Sequence, residues 1–416
     1  MALCLPWLRS TLDAGHRARI CPGSKRVQHQ RERRFRVGTV LATSIRSRTT
    51  SNSFSYTAAH SILKLSLRRA ARMPIDLFSP QVATAAQHPI FKMMSEEIYG
   101  PERAVLSQWA EGFEDRDRKF VKELQTTFES SFWELYLFAA LKEWGLPTDP
   151  RHHAPDFVVE GEVPFCLEAT IANPTAGGQP AYGFSMAHPP KDFTDFNIES
   201  TLRICNSFDA KVRKYRSSYS KLGHVQDKPF VIGIASFDRP HAHFAAGRPI
   251  MAALYGLYHD EAATRPGDTH VASYNVTAAP KNAKTDIEVG LFCDDTYADV
   301  SAVVYSSLAT WGKLRALADN PDALSAYCTL YPNPGNLLPI MRSAMKKDYS
   351  EHLMDGLYVL HNPFARHPLP SGLLSHPRLC EVNVAADGEL IMTAPDDFLL
   401  LRMIKTMKVT DVPEQE

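Results

Sequence analysis

The chain has no apolar run near the roughly 18 consecutive residues that read as a membrane-spanning helix, no CxxC cysteine pair and no HExxH zinc motif. It also lacks a GxSxG elbow, a GxxxxGK phosphate loop and a GxGxxG fingerprint. Serine hydrolase, nucleotide hydrolase and dinucleotide enzyme readings therefore have no motif behind them. The seven cysteines, at 4, 21, 166, 205, 293, 328 and 380, are odd in number and scattered. That predicts reduced thiols in a cytoplasmic protein without a membrane segment. Acids are nearly missing from residues 1–72, which hold 15 Lys/Arg but only Asp13 and Glu32. No internal repeat or low-complexity tract follows residue 73.

What is present is enough hydrophobic sequence, 44% of 416 residues, for a real core in one large unit or two to three ordinary domains. The formal charge of zero, from 46 basic and 46 acidic residues, conceals a split: beyond residue 72 there remain 31 Lys/Arg against 44 Asp/Glu, a net of about −13. The Arg- and Ser-rich segment 1–72 fits a transit peptide, a disordered basic arm, or translated upstream sequence. The abrupt change at Met73-Pro74-Ile75-Asp76 favours the last, a disordered or non-native upstream segment.

Phe120, Leu124, Phe128, Leu135 and Ala139 recur at helical spacing and predict one long helix over 119–144, ended by Gly145-Leu146-Pro147. Glu134 lies on a neighbouring stripe among Ser130, Leu137, Phe138 and Leu141, where a carboxylate is costly unless paired or bound to metal. A Gly-, Pro- and Asn-rich loop covers 173–190. A second helix is predicted over 199–222 from Leu202, Cys205, Phe208, Val212, Tyr215, Tyr219 and Leu222, flanked by Lys211 and Lys214. The apolar run 229–235 predicts a strand buried on both faces. Further on, 249–259 reads as helix and 288–293, 301–306 and 357–360 as strands, with a hairpin of 380–384 and 389–392 around Asp387-Gly388.

The most telling spacing joins Pro155-Asp156-Phe157-Val158-Val159 to Phe165-Cys166-Leu167-Glu168-Ala169-Thr170 across a Gly161-Glu162 turn. In the hairpin register that puts Asp156 opposite Glu168, their Cβ atoms lie roughly 5 Å apart. Phe157, Val159, Phe165, Leu167, Ala169 and Ile171 then share one apolar face, and Asp156, Val158, Cys166, Glu168 and Thr170 the other. Two carboxylates on one face make a site for a divalent cation.

Glu134, then Pro155-Asp156, then Glu168 in a strand after a short turn, then a helix and a buried strand, resembles the PD-(D/E)XK nuclease superfamily over residues 119–236. Phe132-Trp133-Glu134-Leu135-Tyr136-Leu137, with Pro155-Asp156-Phe157 and Leu167-Glu168-Ala169-Thr170, is also similar to a largely uncharacterised bacterial group assigned to that superfamily. The resemblance implies an α/β fold with a restriction-endonuclease-like core, a mixed central sheet flanked by helices, in residues 73–240. Residues 241–416 would form a C-terminal α+β extension of unassigned role, whether completing the sheet, covering the substrate or recognising a partner. It implies Mg²⁺ (or Mn²⁺) on Asp156 and Glu168, with Glu134 a further ligand, and hydrolysis of nucleic acid, DNA ahead of RNA. The family's lysine two residues after the second acid is replaced by Thr170, so the resemblance turns to Lys211 on the next helix, with Lys214 in reserve.

Carboxylate oxygens suit these hard cations, whereas the net acidity beyond residue 72 opposes phosphate binding. A local basic groove is available on one helix from Lys211, Arg213, Lys214, Arg216 and Lys221. The competing class is a nuclease-like fold without the reaction, serving as a binding or assembly module, motivated by Thr170 and the acidic surface. His241, His243 and His259 give a weak zinc alternative. Glu129 points about 140° away from Glu134 round a helix, and His152 and His153 stand close enough to the hairpin to enter its site.

Overall fold

The computed structural model describes residues 75–183, 193–260, 272–282, 284–333 and 338–408, with 263, 265 and 268. The basic segment 1–72 and the second half of the 173–190 loop lie outside the described residues. The first α-helices among the described residues are α1 (Pro89–Met94), α2 (Gly100–Trp109), α3 (Phe120–Thr126) and α4 (Phe128–Glu143). The expected single helix over 119–144 is thus two. At Thr127 the backbone turns to φ −130°, ψ 55°, because the Gln125 carbonyl accepts from His88 N–H at 2.7 Å while the Gln125 side chain donates to Ser79 O. α4 is apolar on nearly every side, as a helix enclosed on both faces should be: Phe132, Trp133, Leu135, Tyr136, Leu137 and Leu141 are all fully buried.

There follow β1 (Phe157–Val159), β2 (Phe165–Ala172), α5 (Phe193–Ser217), β3 (Phe230–Ser236), α6 (Arg248–Tyr255), β4 (Leu257–His259), β5 (Ser273–Asn275), β6 (Ala278–Asn282) and β7 (Thr285–Glu288). The last third supplies β8 (Ala302–Ser306), α7 (Trp311–Leu317), β9 (Ala323–Tyr331), β10 (Ile340–Met345), β11 (Tyr358–His361), β12 (Cys380–Val384), β13 (Leu390–Thr393) and β14 (Leu401–Lys408). The 288–293 strand expected from sequence ends at Glu288, since the backbone of Gly290 and Leu291 bonds instead to Ala253 O at the end of α6. The helix expected over 249–259 stops at Tyr255, where Gly256 at φ +59° turns the chain into β4.

A seven-stranded mixed sheet runs β1-β2-β3-β8-β11-β12-β13. β2, β3 and β8 are mutually parallel, whereas β1 and β11 run antiparallel to β2 and β8. The sheet therefore crosses the boundary expected at residue 240: β8 and β11 to β13 complete it. Alternation assigns its two faces. Phe157, Leu167, Val231, Val304 and Val359 pack with α4, and Cys166, Ile232, Val303, Leu360 and Val382 pack with Phe208 and Val212 of α5 and Ile250 and Leu254 of α6. Each large apolar side chain so enclosed contributes about 1.5–3 kcal/mol. β3 is buried at every residue, the consequence of helices on both faces. A smaller antiparallel sheet, β10-β9-β14, and two strand pairs stand beside it. Among the described residues no helix is long and apolar enough to cross a membrane, and the five described cysteines are free thiols.

Candidate active site

The β1–β2 hairpin pairs Phe157 with Leu167, Val158 with Cys166 and Val159 with Phe165, the register the alternation predicts. Asp156 sits one residue ahead of β1 and Glu168 inside β2, and they are joined through backbone. Asp156 N–H donates to Glu168 Oε2 at 3.3 Å, and Ala169 N–H donates to Asp156 Oδ2 at 2.7 Å. Glu168 is fully buried. Its Oε1 accepts from three donors: Lys211 Nζ at 2.7 Å, Lys214 Nζ at 3.1 Å and the Tyr219 hydroxyl at 3.1 Å. The long helix α5 delivers both lysines because positions three apart share a helix face. Thr170 faces as Glu168 does, and the cations come from the helix packed over the strand.

Burial pushes the Asp156 carboxyl upward and the Glu168 charge adds to it, only partly offset by Lys211 and the Ala169 N–H. Burial likewise raises Glu134, on α4, well above the carboxylate range, with Asp156 next and Arg116 opposing. Burial would also raise Glu168, but Lys211 and then Lys214 outweigh it and hold that carboxyl below its usual range. The cluster thus has one satisfied acid and two frustrated ones that feel each other's charge. Among the described residues the one trio of His, Cys, Asp or Glu whose ligand atoms all fall within 4.8 Å is Glu143, His352 and His376, so the three acids do not close on a single point.

That other trio is a poor ligand set. His352 Nδ1 accepts from Met354 N–H and His376 Nδ1 from Arg378 N–H, each at 3.2 Å. The proton of each neutral ring then resides on Nε2, facing Glu143, where a metal needs a lone pair. His241, His243 and His259 do not gather as a trio either.

Two residues of the acidic cluster carry no sequence signal of their role. Tyr219 reads as one more apolar stripe position, yet its hydroxyl finds Glu168. Arg116, between α2 and α3, donates Nη2 to Asp156 O at 2.9 Å and Nη1 to His152 O, bracing the turn that carries Asp156. From the other side His224 Nε2 bonds Ala154 O at 2.7 Å and stacks on His152, ring centroids 3.7 Å apart. His152 thus enters the wall of the site, its imidazole held below the usual range by burial and then by His224. Glu129 pairs with His88, away from Glu134. The basic face expected over 199–222 divides: on α5 Arg213 pairs with Asp209 and Arg216 with Asp299, while Lys221 lies in the 3-10 turn past the end of α5 at Ser217 and donates to Ser217 O. Comparison with models of known families, with curated proteins and with solved structures finds no match to the chain.

Proposed function

We propose that this chain is a metal-dependent nuclease whose core is restriction-endonuclease-like and whose site follows the PD-(D/E)XK pattern with a displaced lysine. The observation that carries the reading is the pair Asp156 and Glu168, locked together across the hairpin, with Lys211 and Lys214 on one oxygen of Glu168. The donor set fits a hard divalent ion. Asp156 and Glu134 form no ion pair among the described residues; burial and then the neighbouring carboxylates raise both, and a bound ion would relieve that repulsion. Asp156, through the oxygen not taken by Ala169 N–H, and Glu168 would hold Mg²⁺ or Mn²⁺, and Glu134 would act one layer out through water. The ion would supply Lewis-acid neutralisation and an activated water.

The chain's own groups do the rest. Lys211, 21% exposed, fixes Glu168 and orients the water or the scissile phosphate. Lys214, 51% exposed, would exchange its longer 3.1 Å bond to Glu168 for an incoming phosphate. Tyr219 keeps Glu168 oriented when either lysine moves. Arg116 and His224 hold the turn that aims Asp156. The substrate is nucleic acid, with DNA ahead of RNA.

Thermal melting with and without Mg²⁺ or Mn²⁺ tests the site, because an ion that binds only the folded chain raises its melting temperature. The rise is expected in the wild type and lost in Asp156→Ala. Nicking of plasmid or single-stranded DNA is expected to disappear in Glu168→Ala. A wild type with neither ion-induced stabilisation nor nicking sinks the nuclease reading and leaves a binding or assembly module.

A further inference from the structure

Lys214 and Arg216 are two residues apart on α5, hence about 200° apart around it, and they leave the helix on opposite flanks. Lys214 goes to Glu168. Arg216 goes the other way, donating Nε to Asp299 Oδ2 and Nη2 to Thr296 O, both at 2.6 Å. The second oxygen of Asp299 accepts from Arg366 Nη1 at 2.8 Å. One carboxylate, 13% exposed, therefore holds two guanidiniums side by side, at 46% and 63% exposure. The three groups sum to one positive charge. Each guanidinium has five N–H donors, so most of Arg366's remain unspent.

These groups line a cavity of about 510 Å³ with Tyr215, Ser220 and His367. Its Arg366 wall is rigid: Asn362 N–H donates to Ser301 O, Arg366 N–H to Ala298 O, and Ser301 Oγ to His367 O at 2.6 Å. The Arg216 guanidinium rests 5.7 Å from the centre of the Tyr297 ring. The cavity is linked to the acidic cluster along the chain: Tyr219 bonds Glu168, and the next residue, Ser220, lines the cavity.

We propose that this cavity binds a backbone phosphate of the substrate strand, one that flanks the phosphodiester presented to Asp156 and Glu168; the inference rests on the nuclease reading. Paired guanidinium forks match the oxygens of a phosphate, and a pair already fixed by Asp299 loses little entropy on binding. This gives an otherwise acidic chain a local foothold for a polyanion. Besides Asp299, which the two arginines share, the acid lining the cavity is the exposed Asp227 beside Gln226, and it sets the sign of one test.

The experiment measures binding of labelled single-stranded and duplex DNA to the full chain by fluorescence anisotropy across a salt series, with Ca²⁺ in place of Mg²⁺. Arg366→Gln and Arg216→Gln are each expected to weaken binding about tenfold and to reduce the salt slope by about one. Arg366→Lys should retain the slope and Asp227→Asn should tighten binding. The melting shift with Mg²⁺ should stay as in the wild type for all four. If DNA binds but the arginine variants keep wild-type affinity and slope, the phosphate site is overturned while the nuclease reading stands. If the wild type binds neither form of DNA, both fall.

Discussion

Glu168 and Glu351 are each surrounded by two cations and a tyrosine hydroxyl: Lys211, Lys214 and Tyr219 around the first, Lys313, Arg402 and Tyr349 around the second. In both, burial would raise the carboxyl and the cations hold it below its usual range. The surroundings differ. The side chains of Glu351, Lys313 and Arg402 are 0%, 0% and 2% exposed, and both cations also donate to backbone, Lys313 Nζ to Asp355 O at 2.7 Å and Arg402 Nη2 to Leu308 O at 2.8 Å. That cluster ties α7, β14 and the 351–355 loop together. Around Glu168 the lysines reach solvent and two more acids crowd in. A charge cluster with its side chains enclosed acts as a joint; an open one whose acids are raised by burial and by one another is the better candidate for chemistry.

The largest effects should separate the two by function. Asp156→Ala and Glu168→Ala are expected to lower the cleavage rate by well over about a hundredfold, since losing even a supporting partner of a metal ligand typically costs 10–100-fold. Asp156→Asn removes a repelled charge while keeping an oxygen for Ala169 N–H. It should melt at or above the wild-type temperature although inactive, the mark of a site that trades stability for activity. A substantially lower melting temperature would mean that Asp156 serves the fold.

Stability should separate them in the opposite sense. Lys313→Met strands the buried Glu351 with one cation fewer and is expected to cost about 3–5 kcal/mol in urea unfolding. Lys211→Met leaves Lys214 and Tyr219 on Glu168 and lies at a partly solvated position, so its cost should stay below about 1 kcal/mol while cleavage falls. Equal losses from the two substitutions would erase the distinction between joint and site.

What the sequence made legible is what local pattern can carry. The hairpin register, its two faces, the doubly covered strand at 230–236 and the hairpin closed by Ala385 N–H to Glu389 O all follow from alternation and turn residues within about 20 positions. The break at Thr127 did not follow, because its cause is His88, forty residues upstream. The small sheet escaped for a related reason: β9 pairs with β14, whose residues begin at 401, and the charges of β10 and β14 blur their period. Asp156 and Glu168 were readable from spacing; the helix stripe placed both lysines beside it, and the resemblance singled them out. Tyr219 and Arg116 were not, since a hydroxyl at the tip of a stripe residue and a loop arginine leave no periodic trace.

A third glutamate grades the contrast by pH. Glu381 on β12 accepts from His361 Nε2 at 2.9 Å, Gly372 N–H at 3.0 Å and Ser371 Oγ at 3.3 Å. These bonds, the one to His361 foremost, pull its carboxyl from 4.5 to about 2. A depressed acid stabilises the fold fully above its unfolded value and loses that contribution as pH falls through the folded one. Glu381→Gln should therefore be less stable than the wild type by about 2–3 kcal/mol at neutral pH. The gap should close between about pH 4.5 and 2; a gap independent of pH would show that Glu381 acts by shape and not by charge.

The smallest expected change probes the joint between α4 and the sheet. Gly233 lies in β3 beneath α4, where Trp133 Nε1 donates to its carbonyl at 3.1 Å. A Cβ there would fall 2.6 Å from Leu137 Cδ1 and 3.5 Å from Trp133 Nε1, so Gly233→Ala forces the leucine aside or lifts the helix, at about 1–2 kcal/mol. Trp133 is the neighbour of Glu134, whereas Asp156 and Glu168 belong to the hairpin and stay where they are. Lifting α4 therefore moves one acid relative to the other two. Cleavage should fall more than the lost stability accounts for, while the Mg²⁺-induced melting shift, set by Asp156 and Glu168, persists. Unchanged cleavage in a variant that melts lower would remove Glu134 from the site and leave the hairpin pair to act with the lysines alone.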